Sequence, residues 1–454
     1  MRLISVDIGS TWTKGAAFVL SSPNELRVAK RAAHPTTVDD LSRGFNFVFD
    51  ALSADGEHDE LFYSSSAKGG LAIAAIGIVP DLTAEMAKLT AYSAGAKITH
   101  SFAYSLSAAD IEALRNSNSD IILLAGGADG GNAHYPVENA RKLADAGLAA
   151  TIVFAGNRDV RDDVERILDG QDLVCVENIL PGLDNPNPEP ARAAIRELFL
   201  QRITKGKGLD RIVAHTGREP SPTPYALFEY CRNIAELAPE FGEFVMVDMG
   251  GATTDVYSVH EEKNQAGTVR RGLPEAKVKR TVEGDLGMRV SARSAAVAAR
   301  KLDPSESLGP DSAFSVYVDR VSRAPETLAR SLDEQKFDTV LASANLAHSL
   351  MRHSGRAHQV CTVEGLVNVQ VGRDLTDVPQ IIGTGGYLSA TADFRPQNSL
   401  SSLTADEYGK RVLAPLRARY LRDPEYILPL LANVAAAHPM AAVRAGLSAL
   451  VENN

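Results

Sequence analysis

The sequence predicts a two-lobed α/β protein with an inserted parallel α/β segment and a C-terminal helical extension. Three observations carry this prediction. The chain has 454 residues, more than one compact core accommodates. Its first residues alternate apolar and other positions up to Gly9, and the same strand-and-glycine pattern starts again near residue 243. Between those points, short apolar strands alternate with helical periods, the beat of a parallel sheet with covering helices.

The elements follow in order. Residues 2–9 (RLISVDIG), Gly15–Leu20 and Leu26–Ala33 read as three strands of an antiparallel meander. From Phe62 the beat changes: strand Phe62–Ser65, helix Asp81–Ala94, strand Lys97–Phe102, helix Ala108–Asn116. Ile121–Leu124, Val137–Ala146, Ala150–Ala155 and Val160–Leu168 continue it. Pro181–Pro188, rich in Pro and Asn, is a loop, and helix Ala191–Ile203 follows. The breaker cluster Glu219–Pro224 marks the lobe boundary. After it come helix Tyr225–Leu237, strands Glu243–Asp248 and Thr254–His260 around a glycine turn, and Glu283–Leu302, a glycine loop running into an Ala-rich helix. Helix Phe337–His353 and strand Ile381–Ile382, which enters a glycine cluster, complete the second lobe. Tyr408–Asn454 is helical in pattern, punctuated by Pro415, Pro424, Pro429 and Pro439. The expected division is 1–120 for the N-terminal lobe, 121–218 for the inserted or continuing segment, 219–395 for the second lobe and 396–454 for the extension.

Composition excludes several classes of function. Hydrophobic residues make up 44% and charged residues 23%, which is globular rather than disordered. A formal net charge of -10 leaves no basic footprint, so nucleic acid is not the expected partner. Cys175, Cys231 and Cys361 are far apart, which offers neither a disulfide framework nor a thiolate zinc site. The histidines lack HxxxH and HExxH spacing. No apolar run approaches the roughly 20 residues of a membrane span. With no leader-like pattern at the start, a cytoplasmic location is expected.

Chemistry concentrates in glycine turns. Asp7-Ile8-Gly9-Ser10-Thr11-Trp12-Thr13-Lys14 joins the first two strands. Glycine lets the backbone approach a phosphate, N–H groups and hydroxyls donate to its oxygens, and Lys14 adds positive charge. Asp7 can hold Mg2+ through water. A β-turn with a capping Asp is the plain alternative for one such turn. Residues 245–256 (VMVDMGGATTDV) repeat the design, and two such hairpins can grip a polyphosphate and its metal from opposite sides. Trp12 is expected to pack under the first turn.

These residues resemble the actin, sugar-kinase and heat-shock-chaperone ATPase superfamily, whose fold is two-lobed and ribonuclease H-like. The resemblance implies ATP and Mg2+ as cofactors. It assigns Asp7 and Asp248 to metal and catalysis, and Gly9, Ser10, Thr11, Lys14, Gly250, Gly251, Thr253 and Thr254 to the phosphates. Asp255 closes the second motif, and Ala252 stands where the chaperones have a third glycine. The adenosine element is matched by Ile381-Ile382-Gly383-Thr384-Gly385-Gly386-Tyr387, which assigns Gly383, Gly385 and Gly386. Thr281–Gly287 resembles the segment bordering the nucleotide, which adds Glu283 and Gly284. The Glu-Pro-Thr motif of the chaperones is represented by Ser221-Pro222-Thr223, without the acid; Glu219 either substitutes for it or is a solvated loop carboxylate.

Two further glycine loops read first as structure. Ile121–Asn132 is a tight turn, with a second ligand site as the alternative. Tyr63–Gly70 is a solvated loop, with anion binding through hydroxyls and Lys68 as the alternative.

The whole chain resembles the MutL family of glutamate mutase accessory proteins. DIGSTWTKGA (Asp7–Ala16), SSSAKGGL (Ser64–Leu71), LLAGGADGGN (Leu123–Asn132), FAGN (Phe154–Asn157) and VDMGGATTDVYS (Val247–Ser258) carry the likeness. It implies an ATP-dependent accessory or reactivating factor whose partner is an adenosylcobalamin-dependent mutase of the glutamate mutase kind. The alternative within the superfamily is a small-molecule kinase, which needs a substrate hydroxyl and an aspartate base in the cleft. A filament-forming actin relative is a third class.

Overall fold

The computed structural model describes residues 1–453 except 67–70, 184, 204–207, 264–265, 273–274, 364 and 402. The chain divides into two compact units. One comprises Met1–Gly69, Thr204–Arg271 and Glu275–Asn454, and the other Gly70–Ile203 with Gly272–Pro274.

The first unit opens with β1 (Arg2–Ile8), β2 (Trp12–Ser22) and β3 (Glu25–Pro35), the expected antiparallel meander. Helix α1 (Leu41–Ser53) follows, capped by the Asp40 side chain, which accepts from the Ser42 N–H. It returns the chain to β4 (Glu60–Ser65), parallel to β1, and β5 (Ser221–Pro222) pairs with β4. The sheet order is β5-β4-β1-β2-β3.

The second sheet repeats this wiring. β6 (Phe244–Met249), β7 (Thr254–Val259) and β8 (Val278–Glu283) form a meander, and β9 (Gln380–Thr384) and β10 (Arg419–Arg422) run parallel on the other side of β6. A short antiparallel strand, β11 (Val451–Glu452), ends the order β8-β7-β6-β9-β10-β11. Two sheets that both read third-second-first-fourth-fifth are the duplicated ribonuclease H-like design of the two-lobed actin fold. The topology carries that assignment.

Helix α2 (Thr223–Leu237) belongs to the core shared by both sheets. Leu3, Phe18 and Phe62 of the first sheet and Phe244, Met246 and Tyr257 of the second are buried with its Leu227, Tyr230 and Ile234. Each such side chain contributes about 1.5–3 kcal/mol through burial. The opposite face of the second sheet is covered by α3 (Ala292–Leu302), α4 (Ala313–Arg323) and α5 (Leu332–His353), with Val247, Val256, Phe314 and Leu346 in one cluster. Helix α5 starts before the expected Phe337 because Ser331 caps it, its hydroxyl accepting from the Glu334 N–H at 3.2 Å. The C-terminal extension carries α6 (Leu428–Val434) and α7 (Pro439–Ala449), and it also supplies β10 and β11. A fourth group of strands was not foreseen: Thr268–Arg271, Arg356–Thr362, Gly365–Val371 and Arg411–Val412 form a separate sheet.

The second unit is a parallel sheet. Its strands are ordered Lys97–Phe102, Ala72–Ile76, Ile121–Leu124, Thr151–Phe154, Leu173–Cys175, with helices in the connections. Ile76, Ile122, Leu124, Ile152 and Phe154 are buried, as continuous apolar runs in such sheets require. The glycine run after Leu124 is pinned in place. Asn178 donates to the Gly127 carbonyl at 2.9 Å, and the Asn157 N–H donates to that of Gly126 at 3.0 Å. Among the described residues no helix is long and apolar enough to cross a membrane.

Candidate functional site

The two expected turns are the same structure built twice. In the first, the Gly9 N–H donates to the Trp12 carbonyl at 3.1 Å, and in the second the Gly250 N–H donates to that of Thr253 at 2.9 Å. Asp7 is paired across the hairpin with Lys14, and Asp248 with Asp255. The two sites therefore differ in the sign of the cross-strand residue.

The direction of the free N–H groups follows from where the carbonyls go. Thr36 donates its hydroxyl to the Gly9 carbonyl at 2.8 Å and its N–H to that of Thr11 at 2.9 Å. In a trans peptide the N–H points opposite to the C=O, so the N–H groups of Ser10 and Trp12 are turned away from Thr36. At the second turn, the Met288 N–H donates to the Gly250 carbonyl at 3.0 Å, and those of Arg289 and Val290 donate to the Gly251 carbonyl at 2.8 Å. The Ser291 hydroxyl donates to the Ala252 carbonyl at 2.7 Å. The N–H groups of Gly251, Ala252 and Thr253 are thus presented together on the far side, a concavity suited to an anion. Ala252 is no obstacle to this, since its peptide groups carry the contact. The turns also meet: a Cβ on Gly251 would stand 2.9 Å from the Thr11 hydroxyl oxygen and overlap its methyl.

Between the turns lie three carboxylates and one ammonium. The Asp7 side chain is buried. Its Oδ1 accepts from the Ser64 hydroxyl at 3.0 Å and the Thr223 hydroxyl at 2.6 Å, and its Oδ2 accepts from the Tyr426 hydroxyl at 2.9 Å. Burial raises its pKa although these bonds and Lys14 pull it down. Burial lowers the Lys14 pKa, opposed by Asp7, Asp248 and Asp423. Asp248 keeps part of its surface open. Even so, desolvation, with the charges of Asp255 and Asp7 adding to it, pushes its pKa up to about 8. Asp423 is buried, accepts from the Thr384 hydroxyl at 2.8 Å, and is raised chiefly by burial. Among the described residues no group of three or more His, Cys, Asp and Glu is placed to hold a metal by itself. The donor set of Asp7 and Asp248 still fits Mg2+, which takes one or two carboxylates and completes its shell with water and phosphate oxygens.

Other predicted residues are placed as follows. Gly385 has φ +98° and its Cβ position lies 2.6 Å from the Met249 nitrogen, so only glycine fits. Gly386 is exposed, and a Cβ there would stand 3.5 Å from Lys14 Nζ. Gly383 is buried against the Tyr420 ring. The Thr253 hydroxyl donates to Asp255 Oδ2 at 3.1 Å, and Arg280 holds Asp255 from behind, Nε to Oδ1 at 2.9 Å, both charges being buried. Thr254 is buried and donates to the Leu286 carbonyl at 2.6 Å, which fixes the turn. Glu283 is ion-paired with Arg352, which also reaches Asp285 at 3.3 Å; burial nevertheless lifts its pKa to about 7. The Gly284 carbonyl accepts from Ser291 at 3.2 Å. Glu219 is an exposed loop carboxylate, whereas Thr223 reaches Asp7. Lys68 lies outside the described residues. Sequence reasoning did not single out Tyr426, Asp423, Arg280 or Arg352, for which no local motif exists.

The family model described as MutL protein matches residues 3–448. Protein MutL of Clostridium tetanomorphum is 37% identical over 456 residues, with 97% of each chain covered. The chain belongs to the MutL family. Solved structures similar to this MutL-family chain are far more remote. The activator of the 2-hydroxyisocaproyl-CoA dehydratase from Clostridium difficile with bound ADPNP is 9% identical, covers 97% of this chain and 96% of its own, and has a TM-score of 0.30. A glycerol dehydratase reactivase is 11% identical, covers 96% and 99%, and scores 0.33. An acetone carboxylase in its nucleotide-free form is 14% identical, covers 96% and 70%, and scores 0.37.

Proposed function

We propose that this MutL-family chain is a cytoplasmic, ATP-dependent reactivating factor for an adenosylcobalamin-dependent mutase of the glutamate mutase kind. One observation supports the nucleotide part above all: two turns closed by the same backbone bond present N–H groups beside Lys14 and a set of crowded carboxylates. The N–H groups and Lys14 bind phosphate oxygens, Asp7 and Asp248 orient a hydrated Mg2+, and the exposed backbone at Gly386, set by the tight packing of Gly385 on Met249, leaves room for adenosine. Mg2+, when bound, neutralises phosphate charge. The family resemblance supports the mutase as partner.

Calorimetry with Mg·ATP tests the first half, and absence of binding by folded protein rejects it. For the second half, inactivated mutase from the same host is mixed with fresh adenosylcobalamin, ATP, Mg2+ and this protein, and turnover is followed. Recovery is expected with the parent and not with Asp248→Asn, a nearly isosteric change. Recovery that is equal without ATP, or with the variant, rejects an ATP-driven mechanism. Phosphorylation of a small alcohol or acid would move the assignment to a kinase.

A further inference from the structure

Asp7 and Lys14 face each other across β1 and β2, opposite charges in one register pair. Left to themselves they would close into an ion pair, and both would be lost to a ligand. In the structure a third residue receives each of them. Tyr426 donates its hydroxyl to Asp7 Oδ2 at 2.9 Å, and Lys14 Nζ lies 3.3 Å from the centre of its ring. The ring face offers the ammonium a cation–π contact in place of the carboxylate.

The position is held at a cost. Tyr426 has φ +54°, the left-handed region that bulky residues avoid. Asp423 maintains it, capping the turn through the N–H groups of Ile427 and Leu428, each at 3.0 Å. Asp423 is itself tied to the adenosine strand β9, by its N–H to the Gly383 carbonyl at 3.0 Å and by the Thr384 hydroxyl. One turn therefore connects the strand before Gly385 to the first phosphate turn.

We propose that Tyr426 is a positioning residue of the nucleotide site: it separates Asp7 from Lys14, so that the carboxylate stays available to a hydrated divalent cation and the ammonium to phosphate. This rests on the ATP reading above. The test compares the ATP affinity of parent, Tyr426→Phe and Tyr426→Leu, each measured with Mg2+ and with EDTA, after melting curves show folded protein. Phenylalanine keeps the ring beneath Lys14 and removes the hydroxyl from Asp7. Its Mg2+ enhancement of ATP affinity should drop about tenfold, the worth of one charge-assisted hydrogen bond, while metal-free affinity stays within about twofold. Leucine removes both contacts and should also weaken metal-free binding, by about fivefold. A merely structural residue would lower both affinities together. Parent-like Mg2+ enhancement in the Phe variant, or equal losses with and without Mg2+, overturns the proposal. A parent that binds no ATP overturns the nucleotide reading instead, and the proposal with it. If the Leu variant does not fold, the Phe variant alone decides.

Discussion

Binding of Mg·ATP should expel a proton, and the site's electrostatics set how much. The Asp248 pKa lies near 8 because burial removes its water and because Asp255 and Asp7 add negative charge. A free Asp titrates near 3.9. The folded protein therefore holds a proton at pH 7 that the unfolded chain has released. A raised carboxyl contributes stability that is complete below about pH 4 and is lost as pH rises through its folded value near 8. The nucleotide-free protein should thus melt at lower temperature at pH 8 than at pH 6, with Glu283, at about 7, adding in the same direction. Mg2+ beside the carboxylate favours its ionised form. With a pKa near 8, roughly nine-tenths of the molecules carry the proton at pH 7, so binding should release about 0.9 proton from this group, falling to about 0.1 at pH 9. Titration calorimetry with preformed Mg·ATP, in buffers of different ionisation enthalpy, reads the number directly. Asp248→Asn should remove most of it. Buffer-independent heats at pH 7, or an unchanged release from the variant, would refute the reasoning.

Three further outcomes are expected. Gly385→Val should abolish ATP binding with and without Mg2+, since any Cβ there strikes the Met249 backbone; parent-like binding in a direct titration would remove the adenosine assignment. Arg280→Met strands the buried Asp255 carboxylate and should cost about 3–5 kcal/mol in denaturant unfolding, whereas Arg280→Met with Asp255→Leu should recover most of that loss. Equal losses in the single and double variants would show that the ion pair was not the cause. Gly251→Ala should weaken ATP binding because its methyl overlaps the Thr11 side chain, and Thr11→Ser in the same protein should restore part of the affinity by removing the methyl it meets; no recovery would mean that the turns do not touch in solution.

What was legible in the sequence was local or repeated. The two phosphate turns could be read because Asp-x-Gly followed by hydroxyls is a short pattern that occurs twice, and each turn closes on itself through one backbone bond. Helices α2 and α3 and the strands Lys97–Phe102, Ile121–Leu124 and Thr151–Phe154 of the second unit were legible from periodicity, whereas its short strands Ala72–Ile76 and Leu173–Cys175 were not read. What escaped depends on contacts between distant residues. Tyr426 reaches Asp7 across 419 positions, and its turn has no motif of its own. Arg280 looks like a surface residue of a polar strand until β7 brings Asp255 beside it. The strands Arg356–Thr362 and Gly365–Val371 also went unread, although Val367, Val369 and Val371 alternate with Asn368 and Gln370; most of their residues lie at the surface rather than in a core.

The closure of the first lobe by the chain's last helices has a consequence during synthesis. Ser5 donates to the Leu430 carbonyl across 425 positions, Asn433 donates to Ser64, and His438 meets Glu60. At about 5–20 residues per second, the ribosome needs roughly 20–85 seconds to make that intervening chain. For most of that interval β1 and β4 have been made without the helices that cover them. Their apolar faces are open to chaperones and to neighbouring nascent chains, so the earliest-made sheet is the last to become secure.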